Sequence, residues 1–226
     1  METADKKILV ALPTLNEEKA IERMIVELRN CVNLPLAIID GYSTDTTVQI
    51  AKKLDAEVFY RTAGKGYGSA IKKALEVASI KGFDWLLILD CDMTYRPGDI
   101  YKLVKHVETN DLIIGVRPMN RISPSHRIAN QLHSFLASIL FNQPVGDINS
   151  GMRMIRVSKF SKKLTEGNMG MVAQISSVAM RNNWAIKEVS IEYDKRVGQS
   201  KIDIWDWFVI SWCIIRERWR PLFNPN

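Results

Sequence analysis

A chain of 226 residues that is 46% apolar has enough material for one sizeable core and fits one large domain. A formal net charge of +6 points to an anionic partner, but nucleic acid, phospholipid and phosphorylated substrates satisfy that condition equally. Cys31, Cys91 and Cys213 are widely spaced and form no CxxC pair, which excludes a disulfide framework and a structural zinc.

The opening METADKKILVAL is charged and passes straight into a short apolar run, without the long h-region and small-residue cleavage site of a signal peptide. The expectation is a cytoplasmic chain in a reducing compartment. Short apolar runs at Ile8 to Leu12, Leu36 to Asp40, Glu57 to Tyr60, Trp85 to Asp90 and Leu112 to Val116 then read as buried strands. Between them, Ile21, Met24, Ile25 and Leu28 mark one helix face behind an Asn16 cap. Ile100, Leu103, Val104 and Val107 mark another behind Pro97. The β-α-β-α-β order predicts an α/β fold with a mostly parallel sheet, in which ligands bind beyond the carboxyl ends of the strands. After Val116 come a basic loop, a helix near Ser125 to Phe141, a turn-rich DINSG and a helix near Gly170 to Asn182. A strand from Ile186 to Tyr193 and a last aromatic-rich helix close the chain.

The strand ends carry the candidate chemistry. LLILDCDMTY places Asp90 and Asp92 two residues apart, so that in an extended chain both carboxylates lean the same way. Mg²⁺ or Mn²⁺ takes one or two such carboxylates and fills its remaining positions with water and phosphate oxygens. The plainer reading is that both aspartates cap the following turn; their place at a buried strand end favours the metal. Asp40, ending the second strand in IIDGYSTDTT, is a candidate acceptor for the ring NH of uracil or guanine, while Ser43, Thr44 and Asp45 read as helix caps. GKGYGSAIKKAL brings three glycines and Lys65 to a helix start, where backbone NH groups and an ammonium suit a phosphate, although the spacing is not a Walker motif.

PTLNEE, DGYSTDTT, GKGYGSAIKKAL, LDCDMTYRP, GVRP, DINSGMRMIR and RVGQSK follow one another from Val10 to about Lys201. In that order they resemble glycosyltransferases of family 2, above all the branch that glycosylates dolichyl and polyprenyl phosphates. The resemblance implies an inverting enzyme of GT-A fold, a Rossmann-like sheet flanked by helices. It places Pro13, Asn16, Glu17, Asp40, Lys65 and Cys91 around the nucleotide and Asp90 and Asp92 on Mg²⁺ or Mn²⁺. The acceptor half would supply Arg117, Arg127, Arg153, Arg196 and Lys201 to the lipid phosphate. An alkyl phosphate is already largely dianionic at neutral pH and needs no base, so Asp147 is expected to orient the acceptor loop and is the candidate base only if one is used. Asp40 is followed by Gly41 and Tyr42 where the family commonly has paired aspartates and a glycine, which leaves the base, uracil or guanine, open.

These readings divide the chain into a transferase domain, 1–201, with a nucleotide-sugar half, 1–116, and an acceptor half, 117–201. A C-terminal amphipathic helix and tail occupy 202–226. Trp205, Phe208, Trp212, Ile215 and Trp219 fall on one helical stripe with Arg216, Arg218 and Arg220 at its end. The stripe is either core packing or an interfacial face; no run is long enough to span a bilayer. The helix bearing Leu132, Phe135, Leu136, Ile139 and Leu140 is a candidate second wall of a lipid groove. The expected partners are a nucleotide sugar, a polyprenyl or dolichyl phosphate and a membrane surface, not nucleic acid, with the protein peripheral on the cytoplasmic face and its oligomeric state open. The competing readings are transfer to a soluble or polysaccharide acceptor, and a non-catalytic nucleotide-binding module. A dehydrogenase would need GxGxxG after the first strand, where LPTLNEE stands. His106, His126 and His133 lack ligand spacing and receive no role.

Overall fold

The side chains of the first strand leave alternately to two sides, and both sides are covered. In β1 (Ile8–Thr14), Ile8, Val10 and Leu12 join one buried cluster and Leu9 and Ala11 the other. A strand buried on both faces needs helices on both, which is the parallel α/β arrangement. The computed structural model describes residues 6–61, 66–197 and 203–220.

The elements that follow are α1 (Ile21–Cys31), β2 (Leu36–Asp40), α2 (Thr47–Lys53), β3 (Glu57–Tyr60), α3 (Tyr67–Ile80) and β4 (Trp85–Ile88). Next come α4 (Ile100–Val104), β5 (Leu112–Val116), α5 (Pro124–Phe141), β6 (Arg153–Arg156) and α6 (Val157–Phe160). The chain ends with α7 (Gly170–Arg181), β7 (Ile186–Ser190) and α8 (Ile204–Trp219). The sheet order is β3-β2-β1-β4-β6-β5-β7. All pairs are parallel except those of β6, which runs against both β4 and β5. Ile21, Met24, Ile25 and Leu28 of α1 are buried as their spacing predicts. Asn16 is not the cap of α1: the helix begins after Ala20, and Asn16 sits at φ 52° in the loop before it.

β6 lies in the stretch whose turn-rich DINSG reads as a loop. Its antiparallel course decides the site, because it brings the amino end of a strand to the edge where the parallel strands finish. Arg153 pairs in register with both Ile88 and Ile114. The residues just before it, 147–151, therefore reach the carboxyl edge of β4.

Candidate active site

That edge holds a cavity of about 730 Å³ walled by Pro13, Glu17, Asp90, Cys91, Asp92, Arg117 and Arg196, with Trp207 and Ile210 of α8 on the far side. Asp90 lies where β4 ends; Leu89 N donates to Ala11 O at 3.1 Å and holds the exit against β1. Its carboxylate rests on Gly151, where a Cβ would meet Asp90 Oδ2 at 2.0 Å, so any side chain at 151 would displace the carboxylate. Tyr67, at the start of α3, donates to Asp90 Oδ1 at 3.3 Å, and Tyr95 accepts from Gly151 N at 2.6 Å. Burial, and then the neighbouring Asp92, push Asp90 up to about 6 against the pull of Arg196 and Arg117.

Asp92 is 2% exposed. Its Oδ1 accepts from Thr94 N at 3.0 Å and from the Thr94 hydroxyl, and its Oδ2 meets Arg196 Nη2 at 2.6 Å. Half-buried Asp90 and buried Asp92 thus share a corner in which like charges crowd. A divalent cation fits that donor set: hard oxygens, desolvated, with an excess of negative charge.

On the nucleotide side, Pro13, Glu17 and Cys91 line the cavity. Asp40 and Asn16 work one layer back. Asp40 Oδ2 accepts from Tyr42 N and Ser43 N at 2.8 and 2.9 Å, and its Oδ1 from Ser43 Oγ at 2.6 Å. Asn16 Oδ1 accepts from Thr44 N at 2.8 Å and its own N donates to Ser43 Oγ at 2.9 Å. The polar atoms of both fix the turn that carries Gly41 to the cavity wall. Ser43 likewise serves that turn and is not a helix cap. In the glycine-rich segment, Gly66 and Gly68 close on another backbone. Gly68 N and Ser69 N donate to Asn168 O and Gly167 O at 3.2 and 3.1 Å, and a Cβ at Gly68 would meet Glu166 O at 2.6 Å. These glycines let α3 dock on the 166–168 loop. Lys65 lies outside the described residues.

On the acceptor side, Asp147 is fully buried and receives Arg117 N, Nε and Nη2 at 3.0, 2.8 and 2.7 Å. A carboxylate so occupied holds the Arg117 guanidinium in place. Arg153 is a correction: it is 0% exposed and donates to the carbonyls of Ile148, Ser150 and Val172, so it ties the loop to α7 and does not face the cavity. Arg127 is half-buried on α5 and is not among the residues that wall the cavity. Lys201 lies outside the described residues. Cations that the motifs did not single out, Arg61, Arg121 and Lys195, line the wall together with His126. Tyr67 and Tyr95 were legible only as members of the matching motifs, since nothing in their spacing reports a contact made across the sheet.

The aromatic stripe faces outward. Trp205, Phe208, Trp212 and Trp219 of α8 are 62–76% exposed, and Ile128, Leu132, Phe135 and Ile139 of the neighbouring α5 are 55–65% exposed. The opposite face of α8 is core, with Ile210, Cys213, Ile214 and Glu217 buried. Of the three terminal arginines only Arg218 points outward without an acidic partner in reach; Arg216 pairs with Glu166 and Arg220 with Glu217. Leu136 and Leu140 of α5 pack on the core, which removes them from any lipid-facing wall. Among the described residues, no helix is long and apolar enough to cross a membrane.

Comparison with known proteins gives the fold and the family. The chain is 28% identical over 205 residues to a dolichyl-phosphate hexose transferase of Haloferax volcanii, covering 87% of this chain and 86% of that protein. It is 25% identical over 212 residues to an undecaprenyl-phosphate mannosyltransferase of Micrococcus luteus, covering 87% of each. Its fold matches glucosyl-3-phosphoglycerate synthase of Mycobacterium tuberculosis, solved with Mn²⁺, UDP and glucosyl-3-phosphoglycerate. The TM-score is 0.76 at 21% identity, over 95% of this chain and 79% of that one. Residues 9–164 match the pattern of glycosyl transferase family 2. That span contains the strand ends, both aspartates and the glycine loop of the cavity, and the chain is a glycosyltransferase that belongs to this family.

Proposed function

We propose that the protein moves a hexose, with inversion, from GDP-mannose or a UDP-hexose or UDP-N-acetylhexosamine to dolichyl or polyprenyl phosphate at a membrane surface. The observation that carries this reading is one cavity in which a paired set of carboxylates, half-buried Asp90 and buried Asp92, faces arginines, walled by a helix whose outer side is an exposed aromatic stripe. Residues 1–116 serve the donor, 117–201 the acceptor phosphate, and 202–226 the membrane contact. Asp90 and Asp92 would hold Mg²⁺ or Mn²⁺, which neutralises charge on the departing nucleoside diphosphate when bound. Pro13, Glu17 and Cys91 shape the nucleotide pocket, with Asn16 and Asp40 fixing its turn.

Arg117, set by Asp147, and Arg196 orient the acceptor phosphate, whose oxygen attacks the anomeric carbon as the bond to the diphosphate breaks. Because that oxygen carries no proton, positioning and electrostatics suffice. The membrane contact follows from large apolar side chains held in solvent on two packed helices, with tryptophan suited to the headgroup boundary. The protein would then be peripheral, on the cytoplasmic face.

Transfer to a soluble phosphate acceptor is the second reading, favoured by the likeness to a synthase solved with a phosphoglycerate product. It leaves the exposed stripe without a purpose. A non-catalytic module would not need both aspartates in place. A panel of nucleotide sugars tested against polyprenyl phosphate in vesicles and against 3-phosphoglycerate separates the readings: labelled lipid is expected, and label in phosphoglycerate alone would replace this proposal with the second reading.

A further inference from the structure

Arg196 occupies the atom that a metal on Asp92 needs. Of that carboxylate's two oxygens, Oδ1 is taken by the backbone and hydroxyl of Thr94, and Oδ2 by Arg196 at 2.6 Å. Asp92 is 2% exposed, whereas the Arg196 side chain is 29% exposed and lines the cavity. The backbone beneath the arginine is fixed. Val197 N donates to Asp92 O and Asp194 N to Thr94 O, each at 2.9 Å, and Arg96 forks onto Asp194 at 2.6 and 2.9 Å. The segment is thus strapped along the aspartate turn, and the long side chain of Arg196 can change partners without moving it. Arg117 differs, since Asp147 holds it through both Nε and Nη2.

We propose that Arg196 is a two-position cation: it neutralises Asp92 before metal binds, is displaced by the metal, and then delivers its guanidinium to a phosphate monoester in the same cavity. The inference rests on the metal-dependent transfer proposed above and adds an order to it, metal and donor first, acceptor phosphate second. A guanidinium and a divalent cation repel when they share one carboxylate oxygen, so each must weaken the other there. The released arginine finds its next anion in the ligand, for which a planar fork is well matched. By linkage, whatever metal gains from losing this competitor it returns as affinity for the phosphate.

The test titrates Mn²⁺ into the metal-free protein by calorimetry for the wild type, Arg196→Gln and Lys195→Gln, the last making the same charge change one residue away. Arg196→Gln is expected to tighten Mn²⁺ by about tenfold and Lys195→Gln by less than about threefold. Citronellyl phosphate, titrated with UDP or GDP present, should bind the wild type about tenfold more tightly with Mn²⁺ than without it, and Arg196→Gln weakly in both cases. Unchanged or weaker Mn²⁺ binding in Arg196→Gln, or phosphate affinity indifferent to metal in the wild type, overturns the proposal. If Arg196→Gln does not fold, the wild-type linkage alone decides it. A wild type that binds no Mn²⁺ even with UDP or GDP present would defeat the metal-dependent reading itself, whereas normal Mn²⁺ binding that ignores Arg196 defeats only this inference.

Discussion

Asp90 titrates in the ordinary carboxylate range when the chain is unfolded and near 6 when it is folded without metal. The folded state therefore binds that proton more tightly, and the stability it confers is complete below the unfolded pKa and lost as pH rises through about 6. Thermal melts of the metal-free protein should show stability falling between about pH 4 and 7 by more than in Asp90→Asn, and Mn²⁺ should restore it at neutral pH. Identical pH slopes in the two proteins would remove the electrostatic basis of the site. Asp92→Ala should lower the transfer rate by about 10² to 10³, the loss typical of removing a preorganised electrostatic contact at a reacting centre. Steady-state kinetics check this, and near-normal turnover would exclude a metal held there. Arg153 belongs to a different class. It satisfies three backbone carbonyls inside the protein, so Arg153→Lys should cost about 2–4 kcal/mol in denaturant unfolding without a selective rise in acceptor KM. A stable variant with a raised acceptor KM would return Arg153 to the cavity.

At the scale of elements, the central parallel strands were legible because burial on both faces makes them continuous apolar runs, and β2 and β5 have the boundaries that their hydrophobicity predicts. The edge strand β3 also has its expected boundaries, but it is only half-buried, not buried as its sequence suggests. β6 was not legible. Its sequence flanks Met154 and Ile155 with Arg153 and Arg156, and a fully buried arginine gives no outward sign that backbone carbonyls satisfy it. The glycines before α3 have two physical uses, approach to a phosphate and approach to another backbone, and local sequence does not separate them. The stripe on α8 was visible as a period, but its direction depended on where α5 and α7 pack, which no period encodes. Since Trp212 and Trp219 are 62% and 76% exposed, Trp212→Glu and Trp219→Glu should change stability by no more than about 0.5 kcal/mol. Both should lose binding to anionic liposomes and activity on long polyprenyl phosphates while keeping activity on short soluble ones. Cosedimentation that matches the wild type would move the membrane contact elsewhere.

For the whole molecule, function follows from topology more than from any one motif. Parallel strands deliver Asp90 and the turn at Gly41 to one edge, and a single antiparallel strand returns the chain so that Gly151 closes on Asp90. The chain then comes back through β7 to lay Arg196 over Asp92 and ends in α8, which walls the same cavity with one face and presents aromatics outward with another. The carboxylate pair, the cations around it and the exposed aromatic surface are thus held by one sheet and the helices packed on it. The motifs singled out Asp90, Asp92, Arg117 and Arg196 but not Arg61, Arg121 or Lys195 of the same wall; the crossover order set their distances. The central claim is tested most directly by following labelled hexose from a nucleotide sugar into polyprenyl phosphate in vesicles, with Mn²⁺ or Mg²⁺ and with excess chelator. The account predicts a labelled lipid of inverted anomeric configuration that forms with metal and not with chelator; undiminished transfer in chelator, or a product of retained configuration, would contradict it.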